Sequence, residues 1–323
     1  MVKAAPNNAV RRSGQGRGGV KSTVGPRAAS DFETQAARVQ LRQGRGRSAA
    51  GFPSDTARAK VAGVTSTNDV ELRFSRRVND YLKYRPGYPD ALATTLRQKL
   101  GYASDFIIAD VGSGTGIASR FFLDRGNFVY AVEPNPDMRR VAHEWLGGYS
   151  KYRSVDACAE ATTLPDDSVD LVVAAHSFHW FDQKQARAEF ARILRPGRFV
   201  ILLWNERITE GTPFLTDYER LLFEYSDAYQ GASRYPKLAQ ESLEEFFGAE
   251  LRGNAEFPNR QPVDLEGLVG RTLALLPSAP SDTPEHANLL RALASLYEQH
   301  ADRDGVAFEY ATQLTWGRLS RAD

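Results

Sequence analysis

Asp110 stands just ahead of three alternating glycines, Gly112, Gly114 and Gly116, near the end of the apolar run Phe106-Ile107-Ile108-Ala109-Asp110-Val111. Such a turn lets a ligand approach the backbone closely, because glycine has no Cβ and tolerates positive φ. The dinucleotide pattern G-x-G-x-x-G is not met, since glycine falls one position early and Ile117 stands where the third glycine belongs. A phosphate-binding P-loop is also excluded, because no Lys followed by Ser or Thr comes after the last glycine. The carboxylate of Asp110 would repel a pyrophosphate and attract a cationic or hydroxyl-bearing group. A second acid, Glu133, ends the next strand-like run about 20 residues on, the spacing at which α/β nucleotide sites put a carboxylate on ribose hydroxyls. The glycine turn and the two acids together ask for a nucleoside without phosphates.

His176, His179 and Trp180 follow a second apolar run, Val169 to Ala175, which aims them at the same edge of a sheet. A histidine there is either a hydrogen-bonded packing residue or a general base, and His179 is the candidate for the catalytic role. Cys158 is the single cysteine, with no His or Asn arrangement around it that marks a nucleophile. One Cys and five scattered His offer no intramolecular disulfide and no structural zinc site, so no metal is expected. A reducing, cytoplasmic setting is the default.

The elements that must position these residues alternate between strand and helix. Phe106 to Val111 is a buried strand, followed by the glycine turn and a helix carrying Ile117, Ala118, Phe121 and Phe122, closed by Arg125-Gly126. Phe128 to Val132 is a strand, Pro136 to Leu146 a helix with proline in its first turn, and Tyr152 to Val155 a further strand. Val169 to Ala175 is a strand, and Asp182 caps a helix whose Ala186, Phe190, Ile193 and Leu194 share a face until Pro196-Gly197 stops it. Phe199 to Trp204 is the next strand. Beyond it, helices are expected at Leu215 to Tyr229, Glu241 to Phe247, Asp264 to Leu276 and Pro284 to His300, with strands at Glu250 to Phe257 and Val306 to Leu314. Alternation of this kind implies right-handed crossovers and a mostly parallel α/β sheet covered on both faces.

The chain of 323 residues holds 41 Lys+Arg against 40 Asp+Glu. That balance hides two materials: residues 1–60 carry 12 basic and 3 acidic residues, leaving 29 and 37 for the remainder. The Gly-, Arg- and Ser-rich opening lacks apolar periodicity and is expected to be a disordered, solvated tail. Its alternatives are an organelle-targeting leader or an RNA-binding arm. The longest apolar runs are about six residues, far short of the roughly 20 that span a bilayer, so no membrane partner is expected.

The segment Ile108 to Gly116 resembles motif I of the class I S-adenosylmethionine (SAM) methyltransferases, and Ala131 to Met138 is similar to their acidic ribose-binding loop. Phe74 to Pro89, Ala159 to Asp170 and Ser177 to Asp182 resemble more narrowly the trans-aconitate-methyltransferase-like, type 11 branch. The likeness spans about residues 70–320, the expected methyltransferase domain. It implies a Rossmann-like seven-stranded sheet in the order 3-2-1-4-5-7-6, with an antiparallel last strand from Val306 to Leu314. Helices at about 264–300 would cover the substrate side.

The same resemblance implies SAM as the cofactor, bound by Asp110, Gly112, Gly114, Gly116 and Glu133. Met138 would line the adenine or fill the core, and Arg85 would clamp the cofactor carboxylate, with His176 at the cofactor's edge. Many relatives carry an acid where Cys158 stands, and a thiol is a poor acceptor, so adenine would lean on the Ala159 N–H. The activity implied is methyl transfer to a small molecule, with a carboxylic acid becoming its methyl ester. The alternatives are an RNA or protein methyltransferase recruited by the basic tail, and a non-enzymatic SAM-binding protein.

Overall fold

The computed structural model describes residues 85–226, 229, 240–276 and 283–320. The basic segment 1–60 and most of the stretch Phe74 to Pro89, up to Tyr84, lie outside the described residues. Seven strands, β1 (Ile107–Val111), β2 (Phe128–Val132), β3 (Tyr152–Val155), β4 (Val169–Ala175), β5 (Leu194–Arg207), β6 (Leu251–Val263) and β7 (Val306–Gly317), form one sheet. Their order is β3-β2-β1-β4-β5-β7-β6. The first five are parallel, and β7 runs antiparallel to both of its neighbours.

Helices α1 (Asp90–Leu100), α2 (Ile117–Leu123), α3 (Pro136–Leu146), α4 (Gln183–Ile193), α5 (Pro213–Tyr225), α6 (Gln240–Phe247), α7 (Leu265–Leu275) and α8 (Pro284–His300) surround it. The two-residue period of a strand sends successive side chains to opposite faces. Ile108 accordingly joins Leu92, Leu96, Phe122 and Leu146 from α1, α2 and α3. Ala109 and Val111 join Phe190 and Phe246 from α4 and α6 on the other face. Each of the Val, Leu, Ile and Phe side chains among them contributes about 1.5–3 kcal/mol by leaving water. A third core gathers Leu215, Tyr218, Leu268 and Leu293 from α5, α7 and α8 onto Val263, Val306, Phe308 and Tyr310. These helices therefore sit over the carboxyl end of β6 and the amino end of β7. Among the described residues no helix is long and apolar enough to cross a membrane.

Helix starts follow the expected capping chemistry. Asn135 Oδ1 accepts from Asp137 N and Met138 N ahead of α3, and Asp182 Oδ1 accepts from Gln185 N at 3.1 Å ahead of α4. Several boundaries differ from expectation, among them the ends of β5 and β7, which run past Trp204 and Leu314 to Arg207 and Gly317. The helix capped by Asp182 ends at Ile193, and β5 begins at Leu194, before Pro196-Gly197. Leu194 pairs with Val169, the chain loops out over Pro196-Gly197, and pairing resumes at Leu171 with Phe199. That loop brings Arg195 and Arg198 onto the buried Asp170, at 2.6 and 3.3 Å. β6 runs on to Val263, because an edge strand paired only with β7 accommodates Pro258 and Pro262. The helix expected at Leu215 to Tyr229 starts instead at Pro213, capped by the Thr212 hydroxyl, and ends at Tyr225.

Candidate functional site

The carboxyl ends of β1 and β2 are tied together by the glycine turn. Gly112 N and Ser113 N both donate to Val132 O, at 2.8 and 3.1 Å, and Trp145 Nε1 from α3 donates to Thr115 O at 2.7 Å. Two of the three glycines are required by packing. With φ of +66°, Gly112 has no room for a Cβ, which would stand 2.5 Å from Ser177 Cβ; at Gly116, with φ of +87°, it would stand 2.5 Å from Leu146 Cδ1. Gly114 differs, for at φ of +55° its missing side chain faces open space. Its bareness leaves the turn open on that side.

Asp110 is fully buried at the end of β1. Its Oδ2 accepts from Ser119 Oγ at 2.6 Å, while Oδ1 is buried without a hydrogen-bond partner. Burial pushes the carboxyl up to about 7, the Ser119 bonds oppose the rise, and the neighbouring Glu133 charge adds to it. An orphaned carboxylate oxygen of this kind fits a cationic group of a ligand. Glu133 Oε2 accepts from Gly114 N and Oε1 from Asn135 N, both at 2.9 Å. Burial raises its pKa, against the N–H groups of Asn135 and Gly114 and the charge of Arg139. A carboxylate offers about four acceptor positions, and the two left over are the number that a pair of ribose hydroxyls would occupy.

Met138 is half-buried in the first turn of α3. Ala159 is buried after β3, and Cys158 beside it is exposed, its thiol raised by partial burial and by Glu160. Residues 85–89 cross over β5 and β6, where Asn205 Nδ2 and Asn259 Nδ2 donate to Gly87 O at 3.2 and 2.9 Å. Arg85 lies close enough to His176 on one side, and to Arg271 and Tyr310 on the other, to act on all three electrostatically.

The histidines stand at the carboxyl end of β4. His176 has a φ of +56°, unusual for a side chain with a Cβ, and is held there by two contacts to β5. Its N–H donates to Leu203 O at 3.0 Å, and its ring Nε2 accepts from Asn205 N at 2.7 Å, which places the ring proton on Nδ1. Burial, Arg85 and His179 together lower its pKa to about 3. His179 lies in the short 3₁₀ turn Phe178–Trp180, its ring 4.6 Å from Trp180 and 5.1 Å from Trp204. Both of its ring nitrogens are buried without a hydrogen-bond partner, and burial lowers its pKa to about 4. Both rings are neutral above about pH 5.

Sequence reasoning missed Ser119, Asn205 and Asn259. Ser119 was findable as a hydroxyl in the first turn of the helix after the glycines. The other two acquire their neighbours only through sheet pairing and the passage of residues 85–89. Among the described residues no cluster of three His, Cys, Asp or Glu could hold a metal ion.

Residues 109–202 match a family described as a methyltransferase domain. An uncharacterised methyltransferase of Mycobacterium tuberculosis is 29% identical over 248 residues, which cover 76% of this chain and 96% of that one. An uncharacterised methyltransferase-like protein of Schizosaccharomyces pombe is 31% identical over 161 residues, 48% of this chain and 60% of that one. The fold is shared with a solved structure from Anaeromyxobacter dehalogenans assigned to the type II methyltransferases, at 22% identity and a TM-score of 0.50 over 73% of this chain and 98% of that one. Sheet order, family match and relatives agree, and the buried acids suit a cationic nucleoside. The chain carries a methyltransferase domain on a fold shared with that structure, and together these findings support a class I SAM-dependent methyltransferase.

Proposed function

We propose that the chain methylates a carboxylate oxygen of a small organic acid, giving its methyl ester. The observation that carries this reading is the pair of weakly basic histidines at the carboxyl end of β4. With a ring pKa of about 4, His179 is a poor proton acceptor for a phenol or an ammonium, whose pKa values near 10 lie far above it. His176 has its Nε2 lone pair engaged by Asn205 N. A carboxylate acceptor is already ionised at neutral pH and needs no base.

Asp110 Oδ1 would meet the cofactor's ammonium and Glu133 its ribose hydroxyls. The backbone from Gly112 to Gly116 would admit it closely, Ala159 and Met138 would border the adenine, Arg85 would hold its carboxylate, and His176 would close its edge. The bound cofactor supplies a methyl group already activated on a sulfonium. What remains for these residues is to align the acceptor oxygen at about 3–3.5 Å and to keep water out.

The test is incubation of the chain with methyl-labelled SAM and a small-molecule extract of cells that naturally express it. Mild alkali should release the label as methanol, the signature of a methyl ester. An alkali-stable small product, or label confined to RNA or protein, would refute the proposal.

A further inference from the structure

One face of the sheet carries a polar row that separates two of its apolar cores. Asn205 of β5 pairs with Thr312 of β7, Thr312 pairs in turn with Phe257 of β6, and Asn259 follows two residues on, on the same face. On one side of the row, Leu203 and Leu314 belong to the core that holds Leu92 and Phe122. On the other side, Tyr310 and Phe308 belong to the core beneath α5, α7 and α8. Thr312 is fully buried, and its hydroxyl donates to Asn205 Oδ1 at 2.5 Å and accepts from Asn259 Nδ2 at 3.2 Å. With Asn205 Oδ1 taken as an acceptor, Nδ2 of the same carboxamide faces the other way and donates to Gly87 O at 3.2 Å. Asn259 Nδ2 reaches the same oxygen at 2.9 Å.

A carbonyl oxygen has two lone pairs, so carboxamides from two different strands fill the acceptor capacity of this one backbone oxygen. The segment they hold, Arg85-Pro86-Gly87-Tyr88-Pro89, is stiff. Its two proline rings fix φ, and each restricts the residue before it, Arg85 or Tyr88, to extended conformations. Tyr88 packs edge-on to Phe121 of α2 at 5.9 Å, which anchors the end of the segment that leads into α1. Only Pro86 stands between the clamped residue and Arg85. Where Gly87 O is held therefore governs where Arg85 emerges, within electrostatic reach of His176 on one side and of Arg271 on the other. The backbone N–H of Asn205 holds His176 Nε2 at 2.7 Å, so one residue of β5 fixes both of these neighbours.

We propose that Asn205 and Asn259 are positioning residues, which hold Arg85 toward the cofactor carboxylate by clamping Gly87 O. The proposal rests on the reading of Arg85 given above and adds what fixes that side chain in place. Neither carboxamide has to touch cofactor or acceptor to do this. A guanidinium on a flexible stem loses freedom when it engages a carboxylate, and a backbone that is already fixed reduces what remains to be ordered. Without the clamp the cation is still present, but its backbone samples other placements, so the contact is weakened rather than deleted. Asn259 is the cleaner probe of the two. It lies on the edge strand, and its Nδ2 faces Gly87 O, Thr312 Oγ1 and, at 3.5 Å, Asn205 Oδ1.

The test is a double-mutant cycle on the full-length chain, read by calorimetry with two probes. S-adenosylhomocysteine carries the amino-acid carboxylate, whereas methylthioadenosine keeps the nucleoside and lacks that group. Arg85→Met should weaken S-adenosylhomocysteine about tenfold or more, and Asn259→Ala about three- to tenfold. Adding Asn259→Ala to Arg85→Met should cost less than about twofold more, because a positioning residue then has nothing left to position. Asn205→Ala should repeat the Asn259→Ala pattern. Methylthioadenosine affinity should stay within about twofold of wild type in every variant, a result that a general loss of structure would not give. Additive losses in the double variant, equal losses for both probes, or wild-type S-adenosylhomocysteine affinity in either asparagine variant overturn the positioning role and leave the reading of Arg85 standing. Wild-type S-adenosylhomocysteine affinity in Arg85→Met overturns that reading and the positioning role with it.

Discussion

Ser119 Oγ donates to Asp110 Oδ2 at 2.6 Å from the far side of the glycine turn, so the first turn of α2 holds one oxygen of the carboxylate and leaves the other buried and unpartnered. Burial raises the pKa of Asp110 to about 7, so the folded chain binds this proton more tightly than the unfolded one. Its contribution to stability is full below about pH 4 and is lost as the pH rises to about 7. His176 and His179, lowered to about 3 and about 4, run the other way. Their neutral forms favour folding above about pH 6.5, and that contribution is lost as the pH falls toward 4 and 3. Asp110→Asn should remove only the first slope. In the cofactor-free protein, Tm should therefore climb more steeply between about pH 5 and 7 in the variant than in the wild type. Parallel Tm profiles would show that Asp110 does not titrate in this range.

The glycines of the turn should separate into two kinds. Gly112→Ala forces a Cβ against Ser177 and imposes the left-handed penalty of about 1–2 kcal/mol, so it should lower both Tm and S-adenosylhomocysteine affinity. Gly114→Ala meets open space in the free protein and should cost only the backbone penalty, yet it should weaken S-adenosylhomocysteine binding at least as much as Gly112→Ala. Thermal melts and calorimetry on the two variants check this. Equal Tm losses, with Gly114→Ala binding like wild type, would mean that no ligand approaches Gly114.

His179 should be dispensable for proton transfer. With a ring pKa of about 4, turnover should stay nearly flat from about pH 6 to 9 in the wild type and in His179→Ala, the variant losing less than about tenfold through packing. A pH-rate profile with an acidic limb near 6–7 that disappears in His179→Ala would instead make this ring the base.

The site was legible where its residues lie close in sequence. Asp110, the three glycines and Glu133 fall on consecutive strand ends, and parallel pairing of Asp110 with Ala131 sets those ends side by side. Apolar runs marked β1, β2 and β4 to within a residue, because buried parallel strands need largely continuous apolar sequence. β6 was under-read for the converse reason: an edge strand alternates exposed and half-buried residues and keeps its prolines, leaving little apolar signal. Asn205 and Asn259 were invisible, since nothing local distinguishes an asparagine that holds a crossing segment from one in water. The structure places His179 just past the end of β4, as the sequence order requires; its loss of basicity comes from burial, which no motif encodes.

The most direct test of the cofactor assignment is calorimetric titration of S-adenosylhomocysteine and of NAD into the wild type and into Glu133→Ala. Glu133 takes backbone N–H bonds from Gly114 and Asn135 on separate oxygens and retains acceptor positions for two hydroxyls. S-adenosylhomocysteine should bind the wild type, NAD should not bind detectably, and Glu133→Ala should weaken S-adenosylhomocysteine by about 1.5–3 kcal/mol, the loss of charge-assisted hydrogen bonds. Tight NAD binding with no S-adenosylhomocysteine binding, or unchanged S-adenosylhomocysteine affinity in a folded Glu133→Ala, would contradict it.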